Sequence, residues 1–203
     1  MIFARLLLAG VLVAFGTGSA IADSATEAFS QGRDAYDRGD YAAALRAWRQ
    51  AARLDNAEAE FRIGAMYEEG KGVDEDPKRA FDWYKRAAEH GSEHAQFNLA
   101  HMYASGTGVE QNETEAAKWY RQSAERGNAH AQYALGLIYY RGKAVKRDLV
   151  TAYAWLTVAA HNFEPNMFRD NANKVLHAIE QEMTPAQREA AQQRLDEWAA
   201  ARD

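Results

Sequence analysis

Apolar and small residues recur at helical spacing along this chain, and one such pattern is repeated three times at a period of 36 residues. Segments 59–67, 95–103 and 131–139 read AEFRIGAMY, AQFNLAHMY and AQYALGLIY. A period of about 20 to 50 residues is typical of solenoids, in which each unit buries its apolar face by stacking on its neighbours. The pattern therefore predicts an all-α solenoid.

A second helix is predicted after the first in every copy. A glycine follows each tyrosine and closes the first helix in a left-handed turn, and an Asp or Asn then caps the second helix. The glycines are Gly70, Gly106 and Gly142, and the caps are Asp76, Asn112 and Asp148. Gly64 and Gly136 lie inside the first helix, where glycine costs about 1 kcal/mol relative to alanine. We therefore expect a neighbouring helix to approach closely there.

This pattern resembles the Sel-like repeat, a longer-looped relative of the tetratricopeptide repeat, in the run A-x-x-x-L-G-x-M-Y-x-x-G-x-G-V-x-x-D-x-x-x-A-x-x-W-Y-x-x-A-A-x-x-G. Residues 59–91 match it at nearly every position. The later copies depart from it at Ala100, Asn112, Ala144, Leu156 and Phe163. The resemblance implies an α-solenoid of stacked antiparallel helix pairs and a scaffold role, and it names no ligand.

The landmarks divide the chain into segments. Residues 32–56 have a shorter loop and look like an ordinary tetratricopeptide repeat, and a break at Glu164, Pro165 and Asn166 ends the array. Two further helices, Met167–Met183 and Pro185–Ala201, are predicted to form a C-terminal cap. The predicted boundaries are a signal peptide at 1–22, a tetratricopeptide-like unit at 23–56, Sel-like repeats at 57–92, 93–128 and 129–164, and capping helices at 165–203.

The start of the chain is typical of a secretory signal peptide. Arg5 precedes an apolar run, and small residues lead to Ala22, after which we predict cleavage. A retained membrane anchor is the alternative, but the run is shorter than the roughly 20 residues that span a bilayer. We therefore expect export with no membrane span after cleavage, and together with the Sel-like resemblance this implies the bacterial periplasm or the exterior of the cell.

Composition argues against several classes of function. The chain has 24 basic and 29 acidic residues and no cysteine. Its Lys and Arg are interleaved with Asp and Glu along the helices, whereas nucleic-acid binding needs a concentrated basic face. The lack of cysteine excludes disulfides, thiolate metal sites and cysteine nucleophiles. It also separates the chain from the cysteine-rich branch of the Sel-like family, for which β-lactam binding or hydrolysis has been proposed.

Partner binding is expected where the copies differ. The variable positions of the first helix are spaced four, three and four residues apart, so they share one helical face, and the first helices of related solenoids line the concave surface. The mixed chemistry of that face suits a peptide or helix of another protein. The alternative is that these positions are merely exposed and little constrained. The predicted groove residues are Glu58, Arg62, Glu69, His94, Asn98, His101, Ser105, His130, Leu137, Tyr140 and Arg141.

An enzymatic function finds little support in the sequence. His94, His101 and His130 are scattered candidates, and imidazoles on neighbouring repeats are expected about 10 Å apart, too far to share a metal ion at about 2.1 Å per ligand. The repeated tryptophans, Trp83, Trp119 and Trp155, could serve as sugar-stacking platforms, but their fixed phase favours the core.

We predict a non-catalytic protein-interaction module without cofactor or metal, either a monomer or a weak homodimer. The alternatives are an exported effector that binds a host protein and an enzyme or accessory protein that acts on peptidoglycan.

Overall fold

The structure is a computed structural model that describes residues 14–201. This part of the chain is helical throughout, without a β-strand, which confirms the predicted all-α class. The helices are α1 Ala14–Asp37, α2 Tyr41–Ala52, α3 Ala57–Glu69, α4 Pro77–Glu89, α5 Glu93–Ser105, α6 Glu113–Glu125, α7 Ala129–Arg141, α8 Leu149–Asn162, α9 Met167–Glu182 and α10 Pro185–Ala200.

The helix boundaries are set by the capping residues that the sequence predicts. Gly70, Gly106 and Gly142 each adopt the left-handed conformation after the first helix of a pair. The side chains of Asp76, Asn112 and Asp148 accept backbone N–H bonds at the start of the second helix. At the C-terminal end, Thr184 and Gln187 form a reciprocal capping box that starts α10.

From α1 to α9 the helices stack in chain order, and each packs against its neighbours along the chain. The stack ends at α8, which packs against both α9 and α10. The Trp155 ring of α8 lies 4.4 Å from the Trp198 ring of α10, measured between centroids. Trp155 is buried, whereas Trp83 and Trp119 are only half-buried against the core. The solenoid with a C-terminal helical cap is thus the observed architecture.

Two columns of glycines allow close packing between helices. A Cβ added at Gly64 would lie 2.7 Å from the Tyr84 ring, and one at Gly136 would lie 2.6 Å from Leu156. The close helix approach predicted at these two positions is therefore confirmed. The second column lies in the loops: a Cβ at Gly108 would lie 2.2 Å from the Pro77 carbonyl oxygen. The loop of one repeat thus rests on the start of the second helix of the repeat before it.

The N-terminal segment is described only in part. Residues 1–13 of the predicted signal peptide lie outside the described residues. Ala22, the predicted cleavage position, lies within α1, which continues to Asp37. Across residues 14–201, no helix has both the length and the apolar character that crossing a bilayer requires.

Candidate functional site

The predicted groove residues fall on successive odd-numbered helices. We use the name odd-helix face for the surface formed by the following residues of α3, α5 and α7: Glu58, Arg62, His94, Asn98, His101, His130 and Leu137. Arg62 and the three histidines are exposed, and Glu58, Asn98 and Leu137 are half-buried. Arg62 pairs with Glu58 at 3.0 Å along α3, so these two charges partly neutralise each other.

Aromatic rings connect this face from helix to helix. The Phe61 ring of α3 lies 5.4 Å from the His94 ring of α5, and the Phe97 ring of α5 lies 6.0 Å from the His130 ring of α7. His130 also packs at 4.8 Å against Phe168 at the start of α9. Phe168 is 40 % exposed, so the row reaches solvent at its C-terminal end. The structure thus places His94 and His130 in separate aromatic contacts.

Within residues 14–201, one group of side chains has the spacing of a metal site, and an arginine already forms ion pairs with its carboxylates. Ligand atoms of Asp55, Glu60 and His90 lie within 4.8 Å of one another. Arg86 contacts Glu60 at 2.5 Å and Asp55 at 3.2 Å, and His90 Nδ1 lies 2.7 Å from Glu60. The guanidinium supplies the positive charge that a cation would bring. These residues therefore form an internal ion-pair network between the first two units.

Glu60 belongs to a column of buried polar residues with Gln96 and Gln132. Gln96 and Gln132 donate to the carbonyls of Ala88 and Ala124. At the equivalent place in the first repeat, the Arg86 guanidinium donates to the Ala52 carbonyl instead. Glu60 therefore holds Arg86 in the place that an amide fills in later repeats. Burial raises the pKa of the Glu60 carboxyl above its ordinary value, although His90 and Arg86 oppose the shift.

A cavity of about 210 Å³ opens where the second repeat meets the third, and we call it the junction pocket. Its apolar wall is formed by Ala104, Ala116, Tyr120, Ala134, Leu137 and Ile138. Three exposed charged residues, Glu113, Arg141 and Lys143, also line it. Leu137 and Arg141 were predicted for the groove, so the structure brings two predicted residues together here.

The corresponding place between the first two repeats is filled by larger side chains. There the Tyr84 hydroxyl donates to Glu68 at 2.5 Å, and Asn98 lies beside the same hydroxyl. The equivalents of Glu68 and Asn98 one repeat later are Ala104 and Ala134. The replacement of two polar side chains by methyl groups leaves space next to the tyrosine of the second repeat.

The loop of the third repeat also differs from the others. Gly72 and Gly108 both have φ of 71°, and this left-handed conformation lets their loops rest on the first residues of α2 and α4. Ala144 stands at this position in the third repeat, and among residues 14–201 the only non-glycine residue with positive φ is Asp55. Ala144 therefore does not adopt the left-handed conformation of its two equivalents, and it lines the junction pocket.

Other predicted residues lie apart from this pocket. The Tyr140 hydroxyl donates to Glu182 of α9 at 2.7 Å, and Arg147 pairs with the same carboxylate at 2.5 Å. These two hydrogen bonds hold the pKa of Glu182 below its ordinary value. Tyr140 thus contacts the C-terminal cap. Glu69 pairs with Lys71, and Ser105 hydrogen-bonds Thr107.

Sequence reasoning missed Phe61, Phe97, Glu60 and Tyr120. Phe61, Phe97 and Glu60 stand at positions that are similar in every copy, and Tyr120 stands at a position that is tyrosine in the first two repeats; we assigned such positions to stacking. Phe61 and Phe97 nevertheless remain half-exposed and form the ring contacts of the odd-helix face. The available signal was that the third residue of each nine-residue segment is always aromatic, even though Glu58 and its equivalents on the same face are polar.

The three repeats match a known repeat family. The Sel1 repeat profile matches residues 57–92, 93–128 and 129–162, just over half of the chain. Among solved structures, a Sel1 repeat protein from Oxalobacter formigenes is 31% identical, with a TM-score of 0.65 over 73% of this chain and 59% of that one. Protein c5321, a protective antigen present in uropathogenic Escherichia coli strains and displaying an SLR fold, is 27% identical, with a TM-score of 0.57 over 89% of this chain and 46% of that one.

This chain thus spans about three fifths and just under half of the length of these two relatives. No protein with a curated description matches it significantly. Sel1 repeat proteins are generally scaffolds for protein–protein interaction. The three matched repeats, in the phase that the helices show, establish that the chain belongs to the Sel1 repeat family.

Proposed function

We propose that this protein is an exported, non-catalytic interaction module that binds an extended or helical segment of a partner protein along the odd-helix face. The observation that carries the proposal is the row of aromatic and histidine rings that connects α3, α5, α7 and α9 at the surface. Aromatic side chains are enriched in protein interfaces, because they contribute large contact areas at low entropic cost.

The distribution of charge supports a polypeptide ligand. Arg62 and Glu58 satisfy each other at the first repeat, whereas the third repeat offers Leu137 and the exposed Arg141. A segment lying along the face would meet polar groups at one end and apolar groups at the other. Such a graded surface fixes the direction in which a peptide binds, because its two ends are not interchangeable.

Export is proposed from the signal-peptide pattern of the first 22 residues. The bacterial periplasm is the proposed compartment, because the signal-peptide pattern directs export and the similar Sel1 repeat proteins come from bacteria. Edman sequencing of the protein recovered from the periplasmic fraction tests this step. An N-terminus at Asp23 supports export and cleavage, whereas protein confined to the cytoplasm with Met1 retained contradicts them.

Photo-crosslinking in the native compartment tests the binding face. A photoreactive amino acid is placed at position 62, 98 or 137 on the odd-helix face, and at position 85 or 122 on the exposed side of α4 or α6 as a matched control. A partner captured from the first set and absent from the second supports the proposal. Equal capture from both sets, or capture from the control positions alone, contradicts the assignment of the face.

A further inference from the structure

The junction pocket has the size of a single side chain. Its volume of about 210 Å³ lies below the roughly 300 to 1,000 Å³ of pockets that hold drug-sized ligands. A cavity of about 150 Å³ lined by apolar side chains can hold benzene. The pocket is therefore large enough for one leucine, methionine or phenylalanine side chain, and too small for a cofactor.

The hydroxyl of a mostly buried tyrosine lines this apolar cavity. Tyr120 is 5 % exposed, and within residues 14–201 its hydroxyl makes no hydrogen bond, unlike that of its equivalent Tyr84. The hydroxyl oxygen is not fully enclosed, so it opens into the pocket, where a ligand can reach it. Burial raises the pKa of Tyr120 to about 12, so the hydroxyl remains a hydrogen-bond donor at neutral pH. A ligand in the pocket can supply the missing acceptor.

The two cations at the edge of the pocket are the second independent feature. In the first repeat the equivalent residues, Glu69 and Lys71, pair with each other at 2.6 Å. In the second repeat, Ser105 and Thr107 share a hydrogen bond of 2.8 Å.

In the third repeat both residues are positive, Arg141 and Lys143, and neither forms an ion pair within the described part of the chain. Glu113, the one acidic residue that lines the pocket, leaves an excess of one positive charge.

We propose that the junction pocket binds an apolar side chain of an extended partner peptide, and that an acidic residue next to this side chain pairs with Arg141 and Lys143. The Tyr120 hydroxyl donates a hydrogen bond to a carbonyl of the same peptide. This inference rests on the proposed function, because it names the part of the partner that the odd-helix face selects. Buried apolar anchors surrounded by charged rims are typical of the residues that dominate binding energy.

The first step of the test identifies peptides directly. A phage library of random twelve-residue peptides is selected on the purified protein, and the enriched peptides are titrated by fluorescence polarisation. The expected consensus is an apolar residue flanked by Asp or Glu. Enriched peptides that lack an acidic residue at this place overturn the inference, as does the absence of any enriched sequence.

Two double variants, each taken from the protein's own repeats, locate the binding. Ala104→Glu with Ala134→Asn installs the pair that fills the first junction, and we expect it to weaken binding at least about tenfold. Arg141→Ser with Lys143→Thr installs the residues of the second repeat, and we expect a loss of about tenfold together with a smaller salt dependence. Far-UV circular dichroism checks that both variants remain folded.

A peptide change completes the thermodynamic cycle. Replacing the peptide's acidic residue by its amide should weaken binding to the wild-type protein and leave binding to the Arg141→Ser, Lys143→Thr variant nearly unchanged. Equal losses in both proteins overturn the charge assignment. If a partner is captured by the odd-helix face but the filled pocket binds it normally, this inference fails while the proposed function stands.

Discussion

Replacement of Gly108 by alanine tests how the repeats lock together. The residue has φ of 71°, and an added Cβ would lie 2.2 Å from the carbonyl oxygen and 2.5 Å from the carbonyl carbon of Pro77. The left-handed conformation costs a non-glycine residue about 1–2 kcal/mol. The contact is with backbone at the start of α4, which cannot rotate away as a side chain can. Overpacking of this kind costs about 1–3 kcal/mol more.

Gly39→Ala is the matched control. Gly39 also has a positive φ, 77°, but an added Cβ there would meet no atom within 4 Å. This variant therefore carries the conformational cost alone, about 1–2 kcal/mol. The difference between the two variants isolates the contact between the loop of the second repeat and α4, and we expect it to be about 1–3 kcal/mol.

Urea unfolding followed by circular dichroism measures both variants, and hydrogen exchange at the first turn of α4 shows whether the loss is local. Local measurement matters because repeat arrays need not unfold in a single step. In thermal unfolding, each kcal/mol corresponds to about 2–4 °C for a chain of this size. A Gly108→Ala protein as stable as the Gly39→Ala protein would refute the close approach of the loop to α4.

Three further predictions concern buried groups. Gly64→Ala should destabilise the protein by about 1–2 kcal/mol in urea unfolding, although alanine favours helices. The added methyl group would meet the ring of Tyr84, which is fully buried and held by Glu68, so an increase in stability would contradict this packing. The folded structure raises the pKa of Glu60 above 4.5, so as pH rises the carboxyl loses its proton in the unfolded chain before it does so in the folded protein. As pH rises above 4.5, the free energy of unfolding of the wild-type protein should therefore fall relative to that of Glu60→Gln, until the folded carboxyl also loses its proton. A wild-type protein that gains stability relative to Glu60→Gln over this pH range would refute the raised pKa. Because the pKa of Tyr120 is about 12 against an ordinary 10, this residue should contribute a fall in stability of about 1.4 kcal/mol per pH unit between these values, and Tyr120→Phe should reduce the slope by that amount.

The architecture was predictable because stacking requires the same residues in every repeat. Landmarks such as Gly70 and Asp76 specify a left-handed helix end and a helix start, which are local requirements of the backbone. The structure bears out both, together with the breaks that delimit α9 and α10. These features depend on short-range geometry, so a single sequence reveals them.

The candidate site was only partly predictable. The variable positions pointed to the odd-helix face and to two residues of the junction pocket, Leu137 and Arg141, because residues four and three apart share a helical face. The sequence did not show that Tyr140 contacts the C-terminal cap through Glu182, since that contact joins residues far apart in the chain. It also did not show that Glu60 is fully buried beside Arg86.

The junction pocket illustrates why comparison between repeats needs the structure. Ala104, Ala134 and Ala144 look like ordinary small residues, and they are separated along the sequence. Their equivalents one repeat earlier are Glu68, Asn98 and Gly108, which fill or close the space between the first two repeats. Only the stacked helices show that these three positions meet in one place. Tyr120 is the same residue type as Tyr84 one repeat earlier, so the difference between the two lies in the neighbours that have changed.

The position of the pocket also has a thermodynamic logic. In a repeat array each interface contributes separately to stability, so one junction can give up buried contacts while the others retain theirs. The third junction leaves apolar surface open to water, and it places the like charges of Arg141 and Lys143 at one edge of the pocket. Departures from the packing rules that the other repeats obey are expected where function requires them. A peptide that supplies an apolar side chain, an acceptor and a carboxylate meets the open pocket, the Tyr120 hydroxyl and the two cations at once, so part of its affinity comes from contacts that the free protein lacks.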